Sequence, residues 1–320
     1  MKQDMAVSVV IPNRNGKKLL KKNLPHLIEA MNNSTIKYEI IVVDDASTDD
    51  SKKFVNSNFP FIVLVELPRN SGFAIAANNG VKKARYNYVL LLNSDIRVER
   101  EFILPLLKFF RNSKTFAVSN RAMKDTSIAL TKPHQWIFKY GFFKEVYAKE
   151  DQKAVYAFGA SGGHSLFDKK KFLELGGFDE LFSPFYYEDA DLGYRAWKRG
   201  YCVYYEPNSV VYHEHQANIG SSFSTNYINF IVKRNMLLFM WKNLSDISFL
   251  ISHIIFLPSH ILLATFKNPI CLIAFIAAIA KLPKIIKIRM KENQFTSKSD
   301  KDLQQIFTDQ LNSAVNMPPV

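Results

Sequence analysis

The stretch "YVLLLNSDIRV", from Tyr88 to Val98, gives the first indication of how the chain folds. Its first five residues are apolar in character and predict a short buried β-strand. The strand runs directly into the polar triplet Asn93-Ser94-Asp95, after which apolar residues return. An acidic residue in this position either supports a turn or holds a cation at the end of a strand.

Three more buried strands are predicted upstream, over Val7 to Ile11, Glu39 to Val43 and Phe61 to Leu67. Apolar residues at helical spacing separate the first two strands, from Lys17 to Met31. Strands that alternate with helices predict an α/β fold with a mostly parallel central sheet flanked by helices. Ligands bind such sheets at the carboxyl ends of the strands. Polar clusters stand at three of these ends: Pro12 to Gly16, Asp44-Asp45 and Asn93 to Asp95.

The predicted sheet lacks the two common glycine-rich phosphate loops. The first strand is followed by "PNRNG", which has one glycine and cannot form G-x-G-x-x-G, and no G-x-x-x-x-G-K-[ST] sequence is present. If the ligand is a nucleotide, another group must therefore neutralise its phosphates. A divalent cation, Mg²⁺ or Mn²⁺, held by Asp95 would do so.

A second group of acids lies in "FYYEDADLGYRAWKRG", where the spacing predicts a helix from about Glu188 to Arg199. Acids in a first helical turn are favoured by the helix dipole, which is one explanation for them. The other is chemical, because an ionised carboxylate there can serve as a general base. Asp191 is expected to pair with Arg195, four residues later.

Six segments in order resemble the inverting glycosyltransferases of family 2, which have the GT-A fold. They are "VSVVIPNRNG", "EIIVVDDASTDDS", "NSGFAIAANNG", "YVLLLNSD", "GGFDELFSPFYYEDADLGYRAWKRGY" and "VVYHEH", and they span Val7 to His215. The nearest resemblance is to the rhamnosyltransferase-like branch that acts on bacterial surface polysaccharides. It implies a nucleotide-diphosphate-sugar donor and a metal-assisted single displacement.

The resemblance also implies roles for individual residues. The residues implied to bind the nucleotide-sugar are Pro12, Asn13, Arg14, Asp45, Asn78, Asn93 and Ser94. Among them, Asp45 would hydrogen-bond the pyrimidine base of the nucleotide. Asp95 and His213 would hold the metal. Asp189 would be the catalytic base, with Glu188 as the alternative. The chain departs from the family pattern at Arg14, where an aromatic residue is common, and at Asn93, where the metal triplet usually begins with Asp.

The composition limits the partners of the protein. The 320 residues are 48% hydrophobic and carry a formal net charge of +13, which favours an anionic partner. Two cysteines without metal-type spacing fit a reducing compartment, and no signal peptide is expected at the N-terminus. A nucleic-acid-binding protein would explain the charge, but no recognised binding module is visible and no nucleic-acid partner is expected.

The C-terminal third has the composition of a membrane-associating module. Ile247 to Phe266 and Pro269 to Ala280 are strongly apolar, and Asp246, His253, His260 and Lys267 repeat every seven residues along the first run. The next segment presents a basic face, formed by Lys281, Lys284, Lys287 and Lys291. This pattern favours helices that lie on an anionic membrane surface. A transmembrane hairpin and a helix pair that forms a homodimer are the alternatives.

The predicted organisation has three parts. Residues 1–243 form the GT-A domain, with a nucleotide-binding half over 1–98 and an acceptor and catalytic half over 99–243. Residues 244–291 form the membrane-associating module, and 292–320 form a polar tail. The sequence thus predicts a hexosyl- or deoxyhexosyltransferase at the cytoplasmic face of the membrane. It would use a UDP- or dTDP-sugar and a lipid-linked or polysaccharide acceptor. A non-catalytic membrane-associated protein of the same fold is the main alternative.

Overall fold

A computed structural model describes residues 5–124, 128–130, 133–147, 153–213 and 223–312. The strands are β1 Ala6–Asn13, β2 Lys37–Asp45, β3 Val63–Leu67, β4 Tyr88–Leu92, β5 Ile96–Val98, β6 Thr115–Met123, β7 His134–Lys139, β8 Phe142–Tyr147, β9 Val155–Tyr156, β10 His164–Asp168 and β11 Cys202–His213. The α-helices are α1 Lys17–Asn33, α2 Ser51–Asn58, α3 Phe73–Lys83, α4 Ile103–Leu107, α5 Lys169–Glu174, α6 Glu188–Lys198, α7 Thr225–Asn243, α8 Ile247–Lys267, α9 Ile270–Ile279, α10 Leu282–Glu292 and α11 Asp300–Asn312.

The central sheet has the order β3-β2-β1-β4-β10-β6-β11-β5, and β9 pairs with β11. Its first half is parallel, as predicted, because β1 pairs in parallel with β2 and β4, and β2 with β3. Beyond β4 the sheet is mixed. β10 runs antiparallel to both β4 and β6, and β11 runs parallel to β6 and antiparallel to β5. The carboxyl ends of β1, β2 and β4 therefore meet at one edge.

The core forms where the apolar runs of the sequence predict it. β4 carries Val89 to Leu92 with almost no exposure, and α1 buries Leu20, Leu24 and Leu27 against the sheet. Strands that are apolar throughout fit a sheet covered on both faces. The helix predicted from Glu188 to Arg199 is α6, and Asp191 in its first turn is fully buried.

The hairpin β7–β8 lies outside the central sheet and packs on α8. His253 of α8 is hydrogen-bonded through Nδ1 to the Gly141 carbonyl oxygen at 2.7 Å, and its Nε2 accepts from the Trp241 indole at 3.0 Å. The His260 ring stacks on Phe142 with 3.9 Å between ring centroids. His253 and His260 of the polar stripe thus face the protein, whereas Lys267 at the end of α8 is exposed.

The opposite face of α8 is apolar and open. Ile247 and Phe266, near its two ends, have exposed fractions of 74% and 82%. Ile254, Ile255, Leu262 and Leu263 are exposed between them, and Leu272, Ile273, Ile276, Ile286 and Met290 extend the surface onto α9 and α10. Among the described helices, α8 is the one with the length, 21 residues, and the apolar character to cross a membrane.

The segment predicted as a polar tail, 292–320, contains a helix that packs on the core. Residues Asp300–Asn312 form α11, which buries Leu303 and Phe307 in the main core. The Asp300 carboxylate accepts hydrogen bonds from Lys198 Nζ and the Tyr194 hydroxyl, both at 2.6 Å. The apolar residues of this helix are too few to stand out in the sequence, but they fall on one face. Residues 313–320 lie outside the described part of the chain.

Candidate active site

The ends of β1 and β2 form one side of the candidate nucleotide site. Asn13 stands opposite Asp44 in the strand register, and its Nδ2 lies 3.4 Å from Asp44 Oδ1. The other oxygen of Asp44 accepts the Ser47 backbone N–H at 2.9 Å, so Asp44 supports the turn after β2. Pro12 is half-buried and Arg14 is exposed at the rim. The predicted residues Pro12, Asn13 and Arg14 therefore surround the edge where ligands of such sheets bind.

Asp45 is buried and serves the loop that leads into α3. Its two carboxylate oxygens accept the backbone N–H groups of Ser71 and Gly72, at 2.7 and 2.8 Å. Gly72 has a φ of 86°, in the left-handed region that favours glycine, so the loop turns sharply here. Each oxygen of Asp45 keeps a lone pair. The Asp45 carboxylate could therefore accept a hydrogen bond from a nucleotide base while it continues to bind the loop.

Asn78 contacts the loop before α6. Its Oδ1 accepts the Phe178 backbone N–H and its Nδ2 donates to the Phe178 carbonyl, both at 2.9 Å. The amide keeps one acceptor lone pair and one N–H beyond these two bonds. Asn78 therefore fixes this loop, and its contact with nucleotide or sugar stays a prediction.

Asp95 and His213 are brought together by strand pairing. His213 is opposite Ile96 in the antiparallel pair of β5 and β11, and Asp95 immediately precedes β5. His213 Nε2 lies 3.1 Å from Asp95 Oδ2. Asp95 Oδ1 is buried and has no hydrogen-bond partner among the described residues. A buried carboxylate oxygen without a partner is costly unless a ligand or cation satisfies it.

These two residues fit a divalent cation site that the substrate completes. Carboxylate oxygen and imidazole nitrogen are both ligands of Mn²⁺, and Mg²⁺ is commonly held by one or two carboxylates together with substrate phosphates. The described residues contain no group of three His, Cys, Asp or Glu side chains placed to hold a metal. The site would therefore rely on the diphosphate for further ligands. Asn93 and Ser94 flank it, and the Ser94 carbonyl accepts Asn23 Nδ2 at 2.9 Å.

His164 also belongs to this neighbourhood, because the charges of His213 and Asp95 act on it. It begins β10 opposite Leu92, and its Nδ1 is buried without a partner among the described residues. Burial, and then the proximity of His213, lower the pKa of His164 to about 4. The imidazole is therefore neutral at pH 7.

Asp189 lies on the wall of a cavity of about 290 Å³. The cavity is lined by Trp136, Glu145, Ser161, Tyr186, Tyr187 and Asp189, among others. The Ala190 backbone N–H donates to Asp189 Oδ1 at 2.7 Å, as expected at a helix N-terminus. The side chain thus stands at the start of α6, next to a space of the size that one sugar residue occupies.

Glu188 differs from Asp189 in its surroundings. Burial, and then the charge of Asp189, raise the pKa of Glu188 to about 8. Its Oε2 is buried and has no partner among the described residues. Burial also raises the pKa of Tyr187. For Glu188, desolvation thus outweighs the helix dipole, and the carboxyl group is largely protonated at pH 7, which disfavours it as a general base.

The loop before α6 is fixed from behind by α7. Asn235 Nδ2 donates to the carbonyl oxygens of Phe182, Phe185 and Tyr186, at 2.6, 3.1 and 2.9 Å. Tyr186 and Tyr187 have φ values of 69° and 77°, which are rare outside glycine. Non-glycine residues persist in this region only where the surroundings hold them, and they cluster at functional sites.

The predicted ion pair of Asp191 with Arg195 is confirmed. Arg195 Nε donates to Asp191 Oδ2 at 2.8 Å, and Lys242 Nζ lies 2.8 Å from the same carboxylate. The Asn243 amide completes the network at 2.9 Å. Asp191 therefore joins α6 to α7 and is not available to a substrate.

One short segment connects the two acidic groups. Gly159 lies against α6, since a Cβ built on it would be 3.2 Å from the Asp189 carbonyl oxygen. Gly163 lies against the metal triplet, since a Cβ there would be 2.6 Å from Asn93 Nδ2. Four residues of chain span at most about 14 Å. The cavity beside Asp189 and the strand end that carries Asp95 are therefore neighbours.

Glu145 on β8 was not predicted as a site residue, although it lines the cavity with Asp189. The sequence held a weak signal, because Glu145 is the one acid in the aromatic stretch from Trp136 to Tyr147. Trp136 of this stretch lines the cavity, whereas Phe138 and Phe142 are buried.

The family model for glycosyl transferase family 2 matches residues 8–176, more than half of the chain. A poly-β-1,6-N-acetyl-D-glucosamine synthase of Staphylococcus aureus is 29% identical over 178 residues, which cover 53% of this chain and 41% of that protein. A putative polypeptide N-acetylgalactosaminyltransferase 10 of Drosophila melanogaster is 24% identical over 215 residues, which cover 61% of this chain and 34% of that protein. The chain spans less than half of the length of these two relatives.

Solved structures agree on the fold. The crystal structure of S. aureus TarS 1–349 with UDP-GlcNAc matches with a TM-score of 0.60 and 16% identity, covering 95% of this chain and 91% of that one. GalNAc-T7 with UDP, GalNAc and Mn²⁺ also gives a TM-score of 0.60, at 17% identity, covering 76% and 48%. The motifs, the sheet order and the family match lead to one conclusion: the chain has the GT-A fold and belongs to glycosyltransferase family 2.

Proposed function

We propose that this protein transfers a sugar from a nucleotide-diphosphate-sugar to a hydroxyl group of a lipid-linked or polysaccharide acceptor, with inversion at the anomeric carbon. The observation that carries the proposal is the segment from Gly159 to Gly163. It contacts the backbone of Asp189 at one end and the side chain of Asn93 at the other. A donor bound at the ends of β1, β2 and β4 would therefore extend toward the cavity where Asp189 lies.

The reaction needs one base on the protein. The acceptor oxygen bonds to the anomeric carbon while the bond from that carbon to the diphosphate oxygen breaks, and the leaving nucleotide keeps the electron pair. Asp189 takes the proton of the acceptor hydroxyl. Asp95 and His213 would hold a divalent cation, which when bound neutralises charge on the diphosphate. Glu188 stays largely protonated and supports the position of α6.

The relatives favour one class of donor. TarS is described with UDP-GlcNAc and GalNAc-T7 with UDP and GalNAc, and the S. aureus relative is named a poly-N-acetylglucosamine synthase. We infer a UDP-N-acetylhexosamine as the first donor to test, ahead of the UDP- and dTDP-deoxyhexoses that the sequence also allows.

Donor hydrolysis in the presence of Mn²⁺ tests the proposal. The full chain is incubated with UDP-GlcNAc, UDP-GalNAc or dTDP-rhamnose, and release of the nucleotide is followed with and without acceptor. Removal of a general base reduces rates by roughly 10²–10⁴-fold, so D189N should lose turnover by that factor. D189N should still show the thermal shift caused by UDP, because ligand binding raises apparent stability.

Two results would contradict the proposal. One is full turnover by D189N, which would remove the base assignment. The other is the absence of a thermal shift with any pyrimidine diphosphate, which would remove the donor assignment. A chain that binds UDP but turns over no donor would instead fit the non-catalytic alternative.

We also infer that residues 244–291 attach the catalytic unit, 1–243, to the cytoplasmic face of a membrane. The support is the orientation of α8, whose histidines contact the protein while its apolar face is open. His253 and His260 are seven residues apart, so α8 follows the protein surface for about 10 Å between them. A helix fixed in this way would lie along a bilayer surface and would not cross it.

Vesicle flotation tests this attachment. Binding to phosphatidylcholine vesicles should increase when phosphatidylglycerol is added, because α10 and its flanks carry Lys281, Lys284, Lys287 and Lys291. Each lysine near an anionic surface contributes about 1 kcal/mol, so K284Q and K287Q together should weaken binding by roughly 30-fold. Equal binding to both vesicle types would exclude the electrostatic contribution. Protein that resists extraction by alkaline carbonate would favour a spanning hairpin instead.

A further inference from the structure

The hairpin β7–β8 contributes a polar wall to the cavity beside Asp189. Trp136 and Glu145 are cross-strand partners in the hairpin, and both line the cavity. Trp136 stacks on Phe158 at 4.3 Å between ring centroids. Its indole Nε1–H is buried and has no acceptor among the described residues. The wall thus combines a carboxylate with an aromatic ring, while the indole N–H points away from the open space of the cavity.

Another part of the cavity lining is an aromatic ring. Tyr186 lines the cavity, has an exposed fraction of 41% and packs edge-on against Phe185 at 5.1 Å between centroids. Its backbone is held by Asn235, which donates to its carbonyl oxygen at 2.9 Å. An exposed aromatic ring on a fixed backbone is a surface on which the apolar face of a sugar ring can stack.

The hairpin is firmly supported, so the wall is not a mobile loop. Phe138 stacks on Phe249 of α8 with 4.2 Å between centroids and an interplanar angle of 8°. At the turn, the Gly141 carbonyl is hydrogen-bonded to His253. Residues that bind a ligand with precision need this type of second support. Glu145 is therefore presented to the cavity from a fixed position.

The charge of the lining limits what can bind. Among the described residues that line the cavity, Glu145 and Asp189 are acids and none is Lys or Arg. Carboxylates accept hydrogen bonds from hydroxyl and ammonium groups, whereas a phosphate next to them is repelled. A volume of about 290 Å³ lies at the lower end of the range for ligand sites, which fits a single sugar residue.

We propose that this cavity binds the terminal sugar of the acceptor, that the sugar is uncharged or bears an amine and not a phosphate, and that Glu145 selects it by accepting hydrogen bonds from its hydroxyl or amino groups. Tyr186 supplies the stacking surface, and the Trp136 ring forms the part of the wall next to Glu145. This proposal rests on the proposed function, in which Asp189 deprotonates a hydroxyl of the same sugar. It makes Glu145 a specificity residue that is separate from the base.

Binding of three probes, measured without turnover, tests the proposal. The probes are octyl β-glucoside, octyl β-glucosaminide and octyl β-glucoside 6-phosphate, and their affinities are measured by saturation-transfer NMR with the full chain, UDP and Mg²⁺. The neutral and amino glycosides should bind at least about tenfold more tightly than the phosphate. One contact between like charges near a protein surface typically costs enough free energy to weaken binding by this factor. E145Q should reduce the preference for the amino glycoside over the phosphate by about tenfold.

Two variants serve as comparisons. E101Q removes one acid from an exposed position outside the cavity and should leave all three affinities unchanged. E145D keeps the charge and should retain the preference against phosphate. In E101Q, the thermal shift with UDP and the donor hydrolysis rate should match the wild type. E145Q should keep the thermal shift with UDP, because Glu145 lies on the wall of this cavity and not at the ends of β1, β2 and β4.

The outcomes separate this proposal from the proposed function. Equal or tighter binding of the phosphate, equal effects of E145Q and E101Q, or no binding of any glycoside by protein that does bind UDP would each overturn the assignment of this cavity. Loss of UDP binding in the wild type would instead overturn the proposed function.

Discussion

The buried carboxyl group of Glu188 should make the stability of this protein depend on pH in a specific way. Burial beside Asp189 raises the pKa of Glu188 from 4.5 to about 8. Glutamine has nearly the same shape and cannot ionise. Comparing E188Q with the wild type therefore isolates the free energy that the wild type loses when this group is ionised in the folded state.

The sign and size follow from proton binding. Between pH 4.5 and about 8 the folded wild type keeps a proton that the unfolded chain releases, so its free energy of unfolding falls as the pH rises through this range. E188Q lacks this loss. The free energy of unfolding of E188Q, relative to that of the wild type, should therefore increase from pH 5 to pH 8 and then level off. The total increase is at most about 5 kcal/mol, since each pH unit contributes about 1.36 kcal/mol.

Urea unfolding followed by tryptophan fluorescence, from pH 5 to pH 9 in mild detergent, measures the difference. Two variants serve as controls. E101Q removes one acid from an exposed position and controls for the loss of a carboxyl group as such, so the gain seen with E188Q has to exceed the difference seen with E101Q. D189N removes the charge that helps to raise the Glu188 pKa, so in a D189N background the gain from E188Q should level off at a lower pH.

A difference between E188Q and the wild type that stays constant from pH 5 to pH 9 would refute the reasoning. It would mean that Glu188 ionises equally readily in the folded and unfolded chains. A difference that decreased with pH would show that Glu188 is needed in its ionised form, and Glu188 would then be the better candidate for the base.

Three other substitutions test separate parts of the structure. D95N should abolish the Mn²⁺-dependent part of the thermal shift with UDP, where a ligand at 100-fold excess over its Kd stabilises the folded state by about 2.7 kcal/mol. An unchanged shift would exclude Asp95 as a metal ligand. N235A leaves three loop carbonyls without their donor and should lower the free energy of unfolding by roughly 2–3 kcal/mol, measured by urea unfolding. F307A should lower the free energy of unfolding by about 3–5 kcal/mol, since Phe307 lies in the main core. A chain truncated after residue 299 that melts at the same temperature as the full chain would contradict this prediction.

The first half of the fold could be predicted because its signals are local. The strand predicted from Tyr88 to Leu92 has the same bounds as β4, and Glu39 to Val43 lies inside β2. Each is a short apolar run that ends on a polar cluster, and alternating helices make the pairing parallel. The second half could not be predicted in this way. Strand β10 inserts between β4 and β6 with reversed direction, and no local pattern encodes which partner a strand chooses.

The candidate site was predicted in part. Asp95, His213 and Asp189 were identified through motifs, and the structure brings Asp95 within 3.1 Å of His213. Asn78 was also identified by a motif, but its amide is used by the backbone of Phe178. A motif preserves residue identity and does not distinguish a side chain that touches ligand from one that holds the loop beside it.

The apolar helix α8 shows a different limit. The seven-residue repeat of Asp246, His253 and His260 was visible in the sequence and was interpreted as favouring helices on a membrane surface. The periodicity shows that the polar residues lie on one face of the helix, but it does not show which surface this face contacts. Only the contacts of His253 with Gly141 and Trp241 show that it faces inward.

The hairpin β7–β8 also limits the distance between α8 and the cavity beside Asp189. Its turn at Gly141 touches the helix proposed to rest on lipid, and Glu145 is four residues further along β8. A strand advances about 3.4 Å per residue, so the Cα atoms of Gly141 and Glu145 are at most about 14 Å apart. If α8 rests on lipid as proposed, the cavity wall at Glu145 stands no further than this from the part of the hairpin that touches the helix. A lipid-linked acceptor would then reach the cavity with only a short chain between its lipid and its reactive hydroxyl.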